Sequence, residues 1–156
     1  MVQKKKLAFL DTNLFVIDLR YKRDANYGAN LKCLATIRRH HQAITSIFNL
    51  LELCGILSFN LNRQQLMEFY HFFPQRYKLR VLPYSDPSLA LPPFEVDEIL
   101  RIILNKASFG DAMIVASVRR YLPQIDFLVS WDAKHFKNQL VTNVLTPIEF
   151  LDLTED

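Results

Sequence analysis

Glycine and proline are sparse, 3 and 7 of 156 residues, which excludes collagen-like and low-complexity classes. The two cysteines, Cys33 and Cys54, form no CxxC, and no Cys/His pair has zinc-ligand spacing. Both lie in apolar helical patterns, so they are expected to be reduced, buried thiols in a reducing, cytoplasmic setting. Charge of one sign is not in large excess. Lys+Arg number 19 and Asp+Glu 16, a net +3 that permits an anionic partner without demanding one. No apolar run is long enough for a membrane span. The longest, Ala43 to Phe59, falls short of ~20 residues and carries Glu52. Met1-Val2-Gln3-Lys4-Lys5-Lys6 has the charge of a signal n-region, but the apolar run behind it stops at Asp11, too short for an h-region. No Gly-x-Ser-x-Gly accompanies His40, His41, His71 or His135, so a nucleophile-elbow hydrolase is not expected.

What is present is an ordinary globular composition, 50% hydrophobic and 22% charged, without repeats or a linker. A single domain over residues 1–156 is expected. Short apolar runs at Leu7–Leu10, Gln42–Thr45, Arg80–Pro83, Asp126–Val129 and Leu140–Leu145 read as strands. Between them lie helical patterns. One opens at Leu14–Ile17; others cover Asn26–His41, a stretch capped by Thr45 or Ser46 and running to about Leu57, and Asn62–Phe73, limited by Pro74. Phe94–Lys106 follows, then Asp111–Tyr121 after a break at Gly110, and a last helix opens at Thr146-Pro147. Strands alternating with helices predict a three-layer α/β/α sandwich on a mainly parallel sheet of four or five strands. In such folds ligands sit beyond the carboxyl ends of the strands.

Four acids stand out. Asp11 ends the first strand, and Asp132 follows the fourth through Ser130-Trp131. Glu52 and Asp111 interrupt apolar helices, where a charge is costly unless paired or bound to a cation. Each acid has a plainer role available: Asp11 as a helix cap, Asp111 as a first-turn carboxylate, Asp132 in an Asx-turn, Glu52 paired with an arginine. If they converge, two carboxylates ~5 Å apart repel by roughly 3 kcal/mol at an effective dielectric of about 20. Several such pairs require a counter-cation. An all-oxygen site selects Mg²⁺ or Mn²⁺, which can activate water and offset charge on a phosphodiester during in-line displacement.

The ordered set Asp11-Thr12-Asn13, Glu52, Asp111-Ala112, Ser130-Trp131-Asp132-Ala133-Lys134-His135-Phe136 and Thr146-Pro147-x-Glu149-Phe150-Leu151 resembles a PIN domain. It looks most like the single-domain bacterial and archaeal type that includes VapC toxins. The resemblance implies a PIN-like fold and a Mg²⁺- or Mn²⁺-dependent endoribonuclease. Asp11, Glu52, Asp111 and Asp132 would be its catalytic, metal-binding acids, with Thr12, Asn13 and Ser130 supporting them. It also implies RNA as substrate, a small antitoxin protein as partner and a homodimer. Trp131 is bulkier than usual for the family, and Phe59–Pro93 matches none of its motifs.

A haloacid-dehalogenase-type phosphatase needs a second Asp where Asn13 stands. A catalytically silent PIN-like RNA-binding or scaffolding domain is the reading of another class; the four intact acids argue against it. Lys134 and Lys137 directly follow Asp132 and are expected at the crevice mouth, holding substrate phosphates. In the aromatic helix up to Tyr77, Phe69 and Phe73 read as core, while Tyr70, Phe72 and Tyr77 fall on other faces.

Overall fold

Five apolar runs form five parallel strands: β1 (Leu7–Leu10), β2 (Gln42–Ser46), β3 (Leu79–Leu82), β4 (Phe127–Val129) and β5 (Asn143–Leu145). Their order in the sheet is β3-β2-β1-β4-β5. The computed structural model describes residues 4–155; Met1–Gln3, the head of the lysine-rich start, lie outside the described residues, as does Asp156. The helices are α1 (Thr12–Arg20), α2 (Tyr27–His40), α3 (Ile47–Leu57), α4 (Arg63–Tyr77), α5 (Val96–Leu104), α6 (Phe109–Tyr121) and α7 (Pro147–Thr154).

Strand side chains alternate between two cores. Ala8 and Leu10 of β1 pack with Leu14, Phe15, Cys33, Leu50, Leu53 and Phe150, from α1, α2, α3 and α7. Phe9, between them, packs on the opposite face with Ile99, Ile102, Ile114 and Val115 from α5 and α6. Strands covered on both faces read as unbroken apolar runs, which is why five short segments are recognisable. Each fully buried Leu, Ile or Phe contributes about 1.5–3 kcal/mol relative to exposure.

Helix starts follow local chemistry. Ser46 and Asn49 form a reciprocal capping box at α3, and Thr146 and Glu149 form another at α7, with Pro147 at its first position. Several boundaries differ from the sequence expectation, three of them for a clear physical reason. Pro74 does not end α4, which continues to Tyr77 and stops at Lys78 in the left-handed region (φ 48°). The lost backbone hydrogen bond is offset by Phe73 and Tyr77, whose rings lie edge-on to Phe15 at 5.0 and 4.8 Å. Tyr77 therefore belongs to the core, and its hydroxyl donates to Asp18 Oδ2 at 2.7 Å. Gly110 does not break a helix: Ser108 caps α6, and Gly110 sits in its first turn. The last strand begins only at Asn143, after Thr142 donates its hydroxyl to Ile125 O at 2.8 Å. Phe72 remains 61% exposed, whereas Tyr70 donates its hydroxyl to Ser85 O. Among the described residues no helix is long and apolar enough to cross a membrane.

Candidate active site

The connections reverse direction at β1, with β2 and β3 on one side and β4 and β5 on the other. At such a switch point the departing loops diverge and leave a crevice beyond the strand ends. Asp11 leaves β1 here and Ser130-Trp131-Asp132 leaves β4, tied together by the Asp11 N–H donating to Val129 O at 3.1 Å.

Asp11 is only 6% exposed. One carboxylate oxygen accepts from the Thr12 N–H at 2.8 Å and from Asn49 Nδ2 at 3.2 Å; the other accepts from Ser130 Oγ at 2.7 Å. It does cap α1, as its plainer role would have it. All three donors are neutral, however, so none supplies a counter-charge. Burial pushes its pKa up to about 7; the Ser130 and Thr12 hydrogen bonds pull it down, and repulsion from Asp111 and Glu52 adds to the rise.

Ser130 is the hub of this end of the cleft. Its hydroxyl donates to Asp11 and accepts from Asn13 Nδ2 at 3.1 Å and from the Asp132 N–H at 3.0 Å. Asn13 accepts the Trp131 N–H at 3.2 Å, so α1 is stitched to the loop after β4. Trp131 in turn donates its indole N–H to the fully buried Asn30 at 2.9 Å. That bulky residue fastens α2 to the same loop. Asp132 is exposed, and its side chain makes no turn-capping bond.

Glu52 does not lie on the buried face of α3, which is made of Ile47, Leu50, Leu53 and Leu57. It lies on an exposed side and leans toward α6, where a Cβ at Gly110 would stand 3.0 Å from its Oε2. Desolvation of the carboxyl holds its pKa above the usual range; the Thr12 side chain opposes this and Asp111 reinforces it. No arginine pairs with it among the described residues. Asp111 stands in the first turn of α6, partly buried, with Oδ2 3.6 Å from His135 Nδ1.

Asp11, Glu52, Asp111 and Asp132 thus line one cleft of about 400 Å³, together with Thr12 and Asn13. Lys134 and Lys137 do not line it, and Lys137 instead approaches Glu149 at 3.7 Å. Sequence reasoning missed three residues. Tyr21 and Asp24 form part of the cleft wall. Asn49, fully buried, donates to Asp11 and, at 2.9 Å, to Thr12 Oγ1. Its signal was the spacing: three residues after the cap Ser46 and three before Glu52.

The donor set is all carboxylate, hydroxyl and amide oxygen, the chemistry of hard divalent cations. Among the described residues no three His, Cys, Asp or Glu side chains are gathered tightly enough to cage an ion alone. That openness suits Mg²⁺, which keeps several waters and takes one or two carboxylates directly. The bare α-carbon of Gly110 leaves the room that Glu52 Oε2 occupies, and the buried Asp11 carboxylate, bonded by neutral groups alone, retains acceptor capacity beyond its three donors. The residues present therefore fit such an ion.

No family model and no curated protein sequence matches the chain. Among solved structures it is similar to a chain of VapBC2 from Rickettsia felis bound to a DNA fragment from their promoter, with a TM-score of 0.53 and 19% identity. The match covers 89% of this chain and 96% of that one. At that identity the likeness speaks for the fold, which is a PIN-like α/β sandwich on an all-parallel five-stranded sheet.

Proposed function

We propose that this chain is a metal-dependent endoribonuclease, a hydrolase of RNA phosphodiester bonds, and the toxin of a toxin–antitoxin pair. The observation that carries the reading is the convergence of four carboxylates, one of them buried among neutral donors with no cationic side chain, at the switch point of a parallel sheet. The likeness to a chain of the VapBC2 structure supports the toxin reading and a small antitoxin partner.

In this reading Asp11, Glu52, Asp111 and Asp132 hold one or two Mg²⁺ or Mn²⁺ ions. Such an ion, when bound, supplies a Lewis acid that activates water and offsets charge growing on the phosphodiester. The chain's own residues do the positioning. Asn49, Thr12 and Ser130 fix both oxygens of Asp11, and Asn13 holds the Asp132 loop against α1. Asp11, its pKa raised by burial to about 7, would have to give up its proton to hold a cation, so binding would strengthen as pH rises.

The test is cleavage of end-labelled single-stranded RNA and DNA in Mn²⁺, Mg²⁺ and EDTA, beside Asp11→Asn. RNA cleavage that requires metal and is lost in the variant is the expected result. Folded wild-type protein that neither cleaves RNA nor gains thermal stability from Mn²⁺ removes the metal-site reading and leaves a silent scaffold.

A further inference from the structure

The cleft cannot hold an RNA chain by charge. Five carboxylates line it, Asp24 joining the four acids, and no lysine or arginine does. Bound divalent ions offset part of that field, so affinity for a polyanion has to come from its rim. One wall is built by Val16 and Ile17 of α1 and by the loop that follows, where Tyr21 lines the cleft yet remains 56% exposed. Arg20, Lys22 and Arg23 flank it, all exposed. None makes an ion pair among the described residues.

The loop is a built turn. The Tyr21 N–H donates to Ile17 O at 3.1 Å, and Asp24 N–H donates back to Tyr21 O at 3.0 Å. Asp24 Oδ1 accepts the Asn26 N–H at 2.7 Å, which occupies that acid structurally and holds the tip in place. An aromatic ring beside three unpaired cations, at the lip of a cleft that repels phosphate, is the arrangement that takes single-stranded nucleic acid: bases stack on the ring and cations follow the backbone. A duplex offers no free base to stack.

We infer that Arg20–Asp24 is the substrate-docking rim of the cleft, where Tyr21 stacks a base of single-stranded RNA and Arg20, Lys22 and Arg23 hold the neighbouring phosphates. This rests on the ribonuclease reading of the cleft, and its test is separable from it. The full chain is titrated into a fluorescent single-stranded RNA in EDTA, so that binding is read without cleavage. Tyr21→Ala weakens binding about 10-fold and Tyr21→Phe keeps it, as stacking requires. The triple variant Arg20→Gln/Lys22→Gln/Arg23→Gln lowers the slope of log affinity against log salt by about 2, near 0.7 per phosphate contact. The Mn²⁺-induced rise in melting temperature, which reads the acids rather than Tyr21 or the three cations, is retained in all these variants and is not weakened by the charge-removing one.

Wild-type affinity in Tyr21→Ala, equal loss in Tyr21→Phe, an unchanged salt slope, or no RNA binding by the wild type each overturns the rim. Cleavage by rim variants at wild-type KM overturns it while sparing the nuclease. Loss of RNA binding in the rim variants of a protein that never cleaves supports the rim and removes the nuclease. Tyr21 is largely exposed, so its replacement leaves the core intact; retained melting temperature checks this.

Discussion

Alanine at position 110 would set stability and cleft chemistry against each other. Gly110 occupies the first turn of α6, one residue before Asp111, with no left-handed backbone angle. Its α-carbon therefore accepts a side chain without strain. A Cβ restricts the unfolded chain and favours helix, worth roughly 0.5–1 kcal/mol in a helix interior. In a first turn the lower end applies, about 0.5 kcal/mol, or ~1–2 °C in melting temperature for a chain of this size. Against this, the new Cβ would stand 3.0 Å from Glu52 Oε2. That oxygen ends a flexible side chain on an exposed side of α3, so it yields by a few tenths of an ångström at little cost to the fold. Its position relative to Asp111, with which it would share a cation, then changes. Misplacing one ligand in a shared site typically costs about 10-fold in metal affinity. Gly110→Ala is thus expected to melt slightly higher in EDTA, and to need about 10-fold more Mn²⁺ for half-maximal thermal stabilisation. Thermal melts across a Mn²⁺ titration read both. A lower melting temperature in EDTA would show that Glu52 is locked in place, and an unchanged Mn²⁺ midpoint would show that it does not serve the ion.

Three further outcomes follow from the same geometry. In EDTA the contribution of Asp11 to stability should fall as pH rises from about 4 to about 7, because Asp11 keeps its proton in the fold while the unfolded chain releases it near 3.8. A carboxyl raised from 3.8 to about 7 makes that loss on the order of 4 kcal/mol, and Glu52 adds in the same direction. Asp11→Asn should flatten that slope in melts taken by circular dichroism; an equally steep slope in the variant would place the titration elsewhere. Asn49→Ala strips donors from Asp11 and Thr12 and leaves Ser46 without its capping partner, so chemical denaturation should show a loss of about 1–3 kcal/mol. A neutral effect would mean water replaces the amide. Burial pushes the Cys33 thiol up to about 12, so it should not react with an aromatic disulfide at pH 8 until the protein unfolds, whereas the half-buried Cys54, pushed up to about 11, should react only more slowly than a free thiol. Rapid labelling of the native protein would refute that.

The sheet is readable because its strands are buried on both faces, so Leu7–Leu10 and Phe127–Val129 appear as plain apolar runs ending in acids. Strand ends are where a parallel sheet opens its crevice, so Asp11 and Asp132 can be paired across 121 positions of sequence by topology alone. Glu52 is reached for a partly mistaken reason. In sequence it reads as a costly charge within a buried helix, whereas α3 turns that residue outward, over Gly110. The cost of burial falls hardest on Asp11, at a strand end, which looks like a simple cap. Lys134 and Lys137 fall outside the cleft because adjacency to Asp132 along the chain is not adjacency to the cleft. Of the short 3-10 turn Ala133–His135 it is His135 that comes within 3.6 Å of Asp111, while Lys137 meets Glu149.

Asn49 and Tyr21 show where such reading stops. Asn49 sits in a capping box, and a box explains the residue locally, through Ser46, without any need for Asp11. Its second hydrogen bond exists only because β1 and β2 are neighbours in register, which brings the start of α3 beside the start of α1. Tyr21 ends α1 in a loop whose composition is that of any solvated turn. It reaches the cleft only because the loop folds back along the cleft wall. Both residues owe their place to three-dimensional adjacency between segments far apart in sequence, and a period or a motif in one segment does not encode that adjacency. The acids differ because their charge is anomalous where they stand, whatever faces them. An asparagine in a cap or a tyrosine in a turn is ordinary, and becomes informative only once a carboxylate is found beside it.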